Sequence, residues 1–213
     1  MVKLVETSGA DPLAELAANI RACRICRDQP SGKRLPHEPR PVLQESALAP
    51  ILIAGQAPGT RVHASGRPFT DPSGVRLRQW LGVTDAEFYD PANIAVAPMG
   101  FCFPGLSPKG ADLPPRRECA PAWRADLMAA MPQVRLIILL GQYAQRWHMG
   151  KLCGPNLTAT VQNWRAALAL EPMVIPLPHP SWRNNGWLKA NPWLEHDVVP
   201  VLRAEVRRLL ERR

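Results

Sequence analysis

Side chains that could do chemistry recur in this sequence where apolar runs end. The Gly-Gln-Ala-Pro-Gly loop at 55–59 follows the apolar run 49–54, and His179-Pro180-Ser181 follows the run 173–177. Two glycines and a proline around a turn let backbone N–H groups approach a ligand closely. The loop lacks the glycine spacing of a dinucleotide site and the Gly-Lys-Ser/Thr ending of a P-loop, which excludes both of those phosphate sites. Taken alone, the loop is better explained as a tight turn between a strand and a helix.

The cysteines are a second source of chemistry. They are Cys23, Cys26, Cys102, Cys119 and Cys153. The N-terminus carries Glu6 and Asp11 and no apolar core, unlike a secretory signal. No apolar run approaches the roughly 20 residues that cross a bilayer. We therefore expect a soluble cytoplasmic protein, in which cysteines are more often metal ligands, catalytic groups or buried apolar residues than disulfides.

An alternation of apolar runs and helical patterns positions these residues. The apolar runs predict buried strands over 49–54, 93–97, 134–141 and 173–177. Helical spacing predicts helices over 12–27, 73–81, 114–131, 142–149 and 192–210. This order indicates an α/β fold, a three-layer α/β/α sandwich around a four-stranded, mostly parallel sheet. Ligands bind such sheets beyond the carboxyl ends of the strands, so the four loops that follow the strands should meet at one site.

Length and charge bound the rest of the interpretation. The 213 residues, 46% of them apolar, predict a single domain over 1–213, in which 1–46 form a helix and a Pro-rich connection packed on the remainder. This apolar content excludes intrinsic disorder, and 24 prolines indicate many rigid turns. The net charge of +8 favours an anionic partner such as nucleic acid. We expect a monomer.

Further motifs give the sequence a family resemblance. Gly66-Arg67-Pro68-Phe69 follows the first loop, Ser73-Gly74 begins a predicted helix, and the His-Pro-Ser motif comes much later. In this order, over about residues 20–210, the chain resembles the uracil-DNA glycosylase superfamily. It is most similar to the prokaryotic iron-sulphur branches, whose first motif has glutamate where this chain has Gln56. The resemblance implies the α/β/α fold of that superfamily.

The resemblance also implies roles for individual residues. Phe69 would stack on a flipped base, and the backbone near Gln56 and Ala57 would line the pocket. His179 would stabilise the negative charge on the departing base. Asp71 would support the sugar cation or orient water, although it stands one residue earlier than in the relatives. Without the resemblance, Phe69 is better explained as a residue of the hydrophobic core and His179 as a structural residue. Asp71 is explained equally well as the N-cap of a helix.

The sequence departs from the family pattern in three places. Ala57 stands where the common enzymes have a water-activating aspartate, and Gly59 where they have a tyrosine that excludes thymine. Pro98 occupies the position of the asparagine that pairs with the uracil edge. We therefore expect backbone amides around Met99 and Gly100 to read the base, and a preference for another deaminated base remains open.

The resemblance extends to a metal centre and a DNA-facing segment. The order of Cys23, Cys26, Cys102 and Cys119 matches the ligands of a [4Fe-4S] cluster in the iron-sulphur glycosylases. Zinc or no metal is the alternative, and Cys153 has no assigned role. The segment after His179 mixes hydroxyl, amide, cationic and aromatic groups that suit DNA, with Trp182 or Leu188 as a wedge. Its predicted DNA contacts are Ser181, Trp182, Arg183, Asn184 and Lys189.

Together these features predict a monofunctional DNA glycosylase. Its partner would be DNA that contains uracil or a related deaminated base, and Asp71 and His179 would be its catalytic residues. The alternative function is a catalytically inactive protein of the same fold that binds uracil in DNA. A phosphate hydrolase is less favoured because the sequence has neither a carboxylate-rich metal site nor a P-loop.

Overall fold

The fold is built on a parallel sheet, as the sequence predicts. The computed structural model describes residues 11–212. The strands are β1 (Ile51–Ala54), β2 (Ile94–Val96), β3 (Leu136–Leu140) and β4 (Met173–Leu177). Their order in the sheet is β2-β1-β3-β4, and every neighbouring pair is parallel. Ile51 lies opposite Ile94 on one side and Leu136 on the other, which brings all the carboxyl ends to one edge.

Helices cover both faces of this sheet. Within the described residues they are α1 (Pro12–Arg21), α2 (Ile25–Asp28), α3 (Thr60–Ser65), α4 (Pro72–Leu81), α5 (Asp85–Tyr89), α6 (Cys119–Ala129), α7 (Gln142–Met149), α8 (Leu157–Gln162), α9 (Trp164–Ala167), α10 (Asn185–Ala190) and α11 (Val199–Glu211). Short 3-10 turns lie at Gly150–Leu152 and Trp182–Asn184.

The side chains of each strand alternate between two hydrophobic cores. Ile51 and Ile53 of β1 pack in the core that α4 and α11 cover, whereas Leu52 and Ala54 pack in the core that α1, α6 and α7 cover. This period of two places apolar residues on both faces, which is why the strands read as continuous apolar runs. The predicted three-layer α/β/α fold is confirmed.

Several helix boundaries differ from the prediction. The helix expected from residue 114 begins at Cys119, because Pro114 and Pro115 precede it in irregular backbone. The helix expected from residue 192 begins with a π-helical turn, Leu194–Val198, before α11. The helix expected over 12–27 ends at Arg21, ahead of the cysteines. Five short helices, α3, α5, α8, α9 and α10, were not predicted.

None of the helices in the part of the chain that the structure describes is long and apolar enough to cross a bilayer.

Candidate active site

A small cavity lies at the carboxyl edge of the sheet, where loops that follow β1, β2 and β4 meet; the loop after β3, which was expected to join them, does not line it. The first loop, residues 55–59, follows β1, residues 68–73 precede and begin α4, and His179 follows β4. The cavity has a volume of about 100 Å³. Because an engineered cavity of about 150 Å³ binds benzene, this is the size class of a single six-membered ring. Val42, Val96 and Pro98 give the β2 side of the cavity an apolar wall.

Backbone hydrogen bonds from the segment after β2 fix the first loop. The Met99 N–H donates to Gly55 O and the Gly100 N–H donates to Gln56 O, both at 2.9 Å. The Gln56 side chain donates from Nε2 to Leu113 O at 3.0 Å. The expectation that Met99 and Gly100 present free amides to a base is therefore wrong: neither residue lines the cavity, and both amides are used to hold the loop.

A buried arginine holds the same segment from below. Arg124 of α6 is 2% exposed and donates from Nη2 to Ala97 O and Pro98 O, at 2.8 Å each. Burial lowers the pKa of Arg124 to about 10, so its guanidinium stays protonated at neutral pH. The end of β2 is thus fixed by a charge-assisted donor, which is stronger than a neutral one.

Phe69 lines the cavity in a strained backbone conformation. Its φ is +55°, in the left-handed region that β-carbon sterics disfavour. The Tyr89 hydroxyl donates to Pro68 O (3.2 Å) and Phe69 O (3.1 Å), and Arg78 donates to Phe69 O at 3.4 Å. A β-carbon at Gly74 would lie 1.9 Å from Phe69 O, so glycine is required there. The half-buried Phe69 ring also packs edge-on against Phe88, with centroids 6.0 Å apart.

Asp71 lies at the cavity beside the start of α4. The expected alternative role was an N-cap, yet its side chain makes no capping bond to the backbone of α4. Instead, Asp71 Oδ1 accepts a hydrogen bond from the Ser73 hydroxyl at 2.6 Å. Both residues line the cavity, so Asp71 lies at this site without capping the helix.

His179 lines the cavity from the other side. Burial lowers the pKa of His179, and the nearby carboxylates of Asp71 and Asp112 oppose that effect only in part. The imidazole is therefore neutral at pH 7 and carries one N–H. Asn184 donates from its side chain to His179 O at 2.6 Å, which fixes the backbone of the His-Pro-Ser motif.

The cavity opens into a wider cleft of about 670 Å³. Arg61, Arg76 and Arg183 line it and give it positive charge. The cleft also brings together predicted DNA contacts, namely Ser181, Trp182, Arg183 and Asn184. Lys189 does not line the cleft; it lies exposed on α10.

The two candidate wedge residues lie in different environments. Trp182 is 72% exposed at the cleft. Leu188 is partly buried against the hydrophobic core, as is Trp187, and so it is not free to enter a DNA duplex. Of the two, Trp182 is the residue that a bound nucleic acid could reach.

Comparison with known proteins identifies the family. The sequence profile of the uracil DNA glycosylase superfamily matches residues 44–203, well over half of the chain. The chain belongs to the uracil-DNA glycosylase superfamily. Among solved structures, it is similar to the crystal structure of wild-type SMUG2 from Pedobacter heparinus. The two share 13% sequence identity over 73% of this chain and 75% of that chain, with a TM-score of 0.40.

The four cysteines predicted as cluster ligands line one enclosed pocket of about 20 Å³. A hydrogen bond from the Cys102 thiol lowers the pKa of Cys26 to about 7, and the Phe101 N–H donates to Cys119 Sγ at 3.3 Å. Within residues 11–212, no three His, Cys, Asp or Glu side chains are arranged to hold a metal ion. Cys23 and Cys26 also precede the residues that match this glycosylase superfamily.

Sequence reasoning missed two residues at the site of this superfamily member. Tyr89 belongs to α5, whose start carries a capping box between Thr84 and Glu87; that Thr-x-x-Glu pattern could have revealed the helix. Asp112 lines both the cavity and the cleft and follows a turn at Gly110, where φ is +72°. Its place in the loops after β2 was the available signal, because those loops lie at the carboxyl edge.

Proposed function

We propose that this chain hydrolyses the N-glycosidic bond of uracil, or of a related deaminated base, in DNA. The observation that carries the proposal is a ring-sized cavity that holds Phe69 and a neutral His179 and opens into a cleft lined by arginines. An extruded base needs a cavity of this kind, and the phosphates of the DNA backbone need a positively charged cleft beside it. Membership of the uracil-DNA glycosylase superfamily supports the same function.

The groups around the cavity suit a dissociative mechanism. The flipped base stacks on Phe69, which the strained backbone and the Tyr89 hydroxyl hold in place. As the bond to the sugar breaks, its electron pair passes to the base, and the His179 N–H donates to the oxygen where negative charge develops. Asp71 stabilises the positive charge on the sugar or orients the attacking water.

Trp182 is proposed as the wedge that fills the space left by the flipped nucleotide. It is the exposed aromatic residue of the segment after His179. An apolar side chain inserted at a base step offsets part of the free energy lost on unstacking. Arg183, beside it in the cleft, is proposed to bind a phosphate, together with Ser181, Asn184 and the more distant Lys189.

We further propose that Cys23, Cys26, Cys102 and Cys119 hold a [4Fe-4S] cluster. Two observations support the fit. The four thiols line one pocket, and Trp123 Nε1 and Arg116 Nε, which are buried without a hydrogen-bond partner within residues 11–212, belong to side chains that line it too. Buried N–H donors without a partner suit an occupant rich in sulphur acceptors. The four thiols need not converge on a point, because each would bind a different iron.

The cluster would have a structural role. It would tie the segment 23–26 to Cys102, which follows β2, and to Cys119 at the start of α6. Iron and sulphide analysis with visible absorbance tests this proposal: about four of each per chain are expected, whereas a colourless protein that contains zinc or no metal contradicts it. The control variant Cys153→Ser should contain as much iron and sulphide as the wild type, because Cys153 lies outside this pocket.

The decisive experiment measures base release from labelled oligonucleotides. Single-stranded and double-stranded substrates carry uracil, hypoxanthine, xanthine or mismatched thymine, and abasic product is revealed by alkaline cleavage. We expect release of uracil or another deaminated base, and losses of at least ten-fold in His179→Ala and in Asp71→Asn. Wild-type activity in both variants contradicts the assigned roles.

An inactive uracil-binding protein is the second candidate function. It is favoured by Ala57 and Pro98, which give the cavity no carboxylate at the first loop and no amide side chain on the β2 side. Retained binding of uracil-containing DNA, with no abasic product from any substrate, supports this second candidate against the first.

A further inference from the structure

A second carboxylate stands at the mouth of the cavity. Asp71 and Asp112 both line the cavity and the cleft outside it. A flipped nucleotide places its base inside the cavity and its backbone in the cleft, so its sugar occupies the mouth. Both carboxylates therefore face the position where a sugar cation would form.

The two carboxylates differ in what already binds them. Asp71 Oδ1 accepts a 2.6 Å hydrogen bond from Ser73. Within residues 11–212, the Asp112 carboxylate accepts no hydrogen bond, and its ion-pair partner Arg183 Nη1 lies 3.8 Å away. Asp112 is thus the carboxylate that keeps its full capacity to accept a hydrogen bond from water, since an ionised carboxylate has about four acceptor sites.

The backbone around Asp112 is held in place although its side chain is 42% exposed. Gly110 N–H donates to Ser107 O at 2.9 Å, and Ser107 N–H donates to Ala111 O at 2.7 Å. On the other side, the Gln56 side chain binds Leu113 O at 3.0 Å, which ties this turn to the first loop. The backbone that carries the carboxylate is therefore already in place when substrate arrives.

Arg183 connects Asp112 to DNA binding. Its guanidinium lies near Asp112 Oδ2 (3.8 Å) and Gly110 O (3.4 Å). In the proposed function Arg183 binds a phosphate, which forms shorter, charge-assisted hydrogen bonds than this loose ion pair. The phosphate would draw the guanidinium away and leave the Asp112 carboxylate to act on the sugar.

We propose that Asp112 is a catalytic carboxylate of this site, which binds the attacking water and stabilises the cationic sugar. The proposal rests on the proposed glycosylase function. The bond between the sugar carbon and the base nitrogen breaks, with its electron pair leaving on the base. The water oxygen then bonds to that carbon, and the proton it loses passes through solvent to the base. The products are the free base and an abasic sugar.

Single-turnover base release with Asp112→Asn tests the proposal. The substitution preserves shape and removes the charge, and Asp126→Asn, an exposed aspartate on α6, is the matched control. We expect at least a ten-fold lower rate at saturating protein for Asp112→Asn. The Kd for DNA with a non-hydrolysable nucleotide should change by less than about three-fold, because the lost group acts on charge that develops during the reaction. Asp126→Asn should match wild type in both measurements.

The Arg183→Gln variant distinguishes a catalytic role of Asp112 from a role in which Asp112 only positions Arg183. If Asp112 only orients that guanidinium, Arg183→Gln and Asp112→Asn will both weaken DNA binding and leave the saturated rate unchanged, which overturns the proposal. Restoration of the Asp112→Ala rate by added formate supports it, since formate returns a carboxylate to the mouth. Wild-type activity with an unaffected Asp112→Asn overturns this inference alone, whereas an inactive wild type overturns it together with the proposed function.

Discussion

The Tyr89 hydroxyl offers a sharp test of how the cavity is positioned. Left-handed backbone destabilises a non-glycine residue such as Phe69 by roughly 1–2 kcal/mol, and a hydrogen bond contributes roughly 0.5–1.5 kcal/mol. Tyr89→Phe removes the donor at 3.1 Å from Phe69 O and leaves the longer Arg78 bond at 3.4 Å. It keeps the ring, on which the Arg67 guanidinium stacks 3.5 Å from the centroid. We therefore expect Tyr89→Phe to destabilise the conformation of Phe69, and with it the folded protein, by about 1 kcal/mol.

Two measurements follow from that magnitude. Thermal unfolding should shift down by about 2–4 °C for a chain of this size, and single-turnover base release should slow about five-fold, because 1.4 kcal/mol corresponds to ten-fold. Tyr143→Phe is the matched control, since Tyr143 is exposed on α7. A Tyr89→Phe protein that melts lower but releases base at the wild-type rate refutes the reasoning, because the hydroxyl then stabilises the loop without positioning Phe69.

Three other predictions test the loop, the wedge and the acid stability. Gly74→Ala forces a β-carbon against Phe69 O, so we expect a loss of about 1–3 kcal/mol in unfolding free energy together with reduced base release. Trp182→Ala should leave the melting temperature unchanged and weaken DNA binding about ten-fold, measured by fluorescence anisotropy. The Thr84 N–H and Arg207 lower the pKa of Glu87 to about 2, below its value of 4.5 in the unfolded chain. The stability it contributes is present above pH 4.5 and lost as the pH falls toward 2, so Glu87→Gln should flatten that part of the pH dependence of unfolding.

The strands could be predicted from sequence because a strand that is buried on both faces is a continuous run of apolar residues. Each strand lies inside a predicted apolar run, and β4 matches it from Met173 to Leu177. The five short helices have no comparable pattern in the sequence. Helices of four to six residues, such as α3 and α9, cover too few turns to produce a helical period, so their start and stop signals are all the sequence offers.

At the site, motifs predicted which residues meet, but not the hydrogen bonds that hold them. Phe69, Asp71 and His179 line one cavity, as their order in the motifs suggested. The positive φ of Phe69 could not be foreseen, because it depends on a hydroxyl twenty residues away in Tyr89. The use of the Met99 amide could not be foreseen either, since parallel register between β1 and β2 decides which amides are already bonded.

The apolar wall on the β2 side limits how strongly this site can select its base. The side chains of Val42, Val96 and Pro98 cannot hydrogen-bond to a base edge, and the neighbouring Met99 amide already donates to Gly55 O. Hydrophobic pockets discriminate between ligands that differ by one small group by about 10–200-fold, whereas sites built on hydrogen bonds reach about 10⁴–10⁵-fold. We therefore expect uracil and mismatched thymine to differ by no more than about 200-fold in kcat/KM. Discrimination of 10⁴-fold or more in the base-release assay would contradict this expectation: because uracil and thymine share the same hydrogen-bonding edge, the cavity would then have to exclude the 5-methyl group sterically.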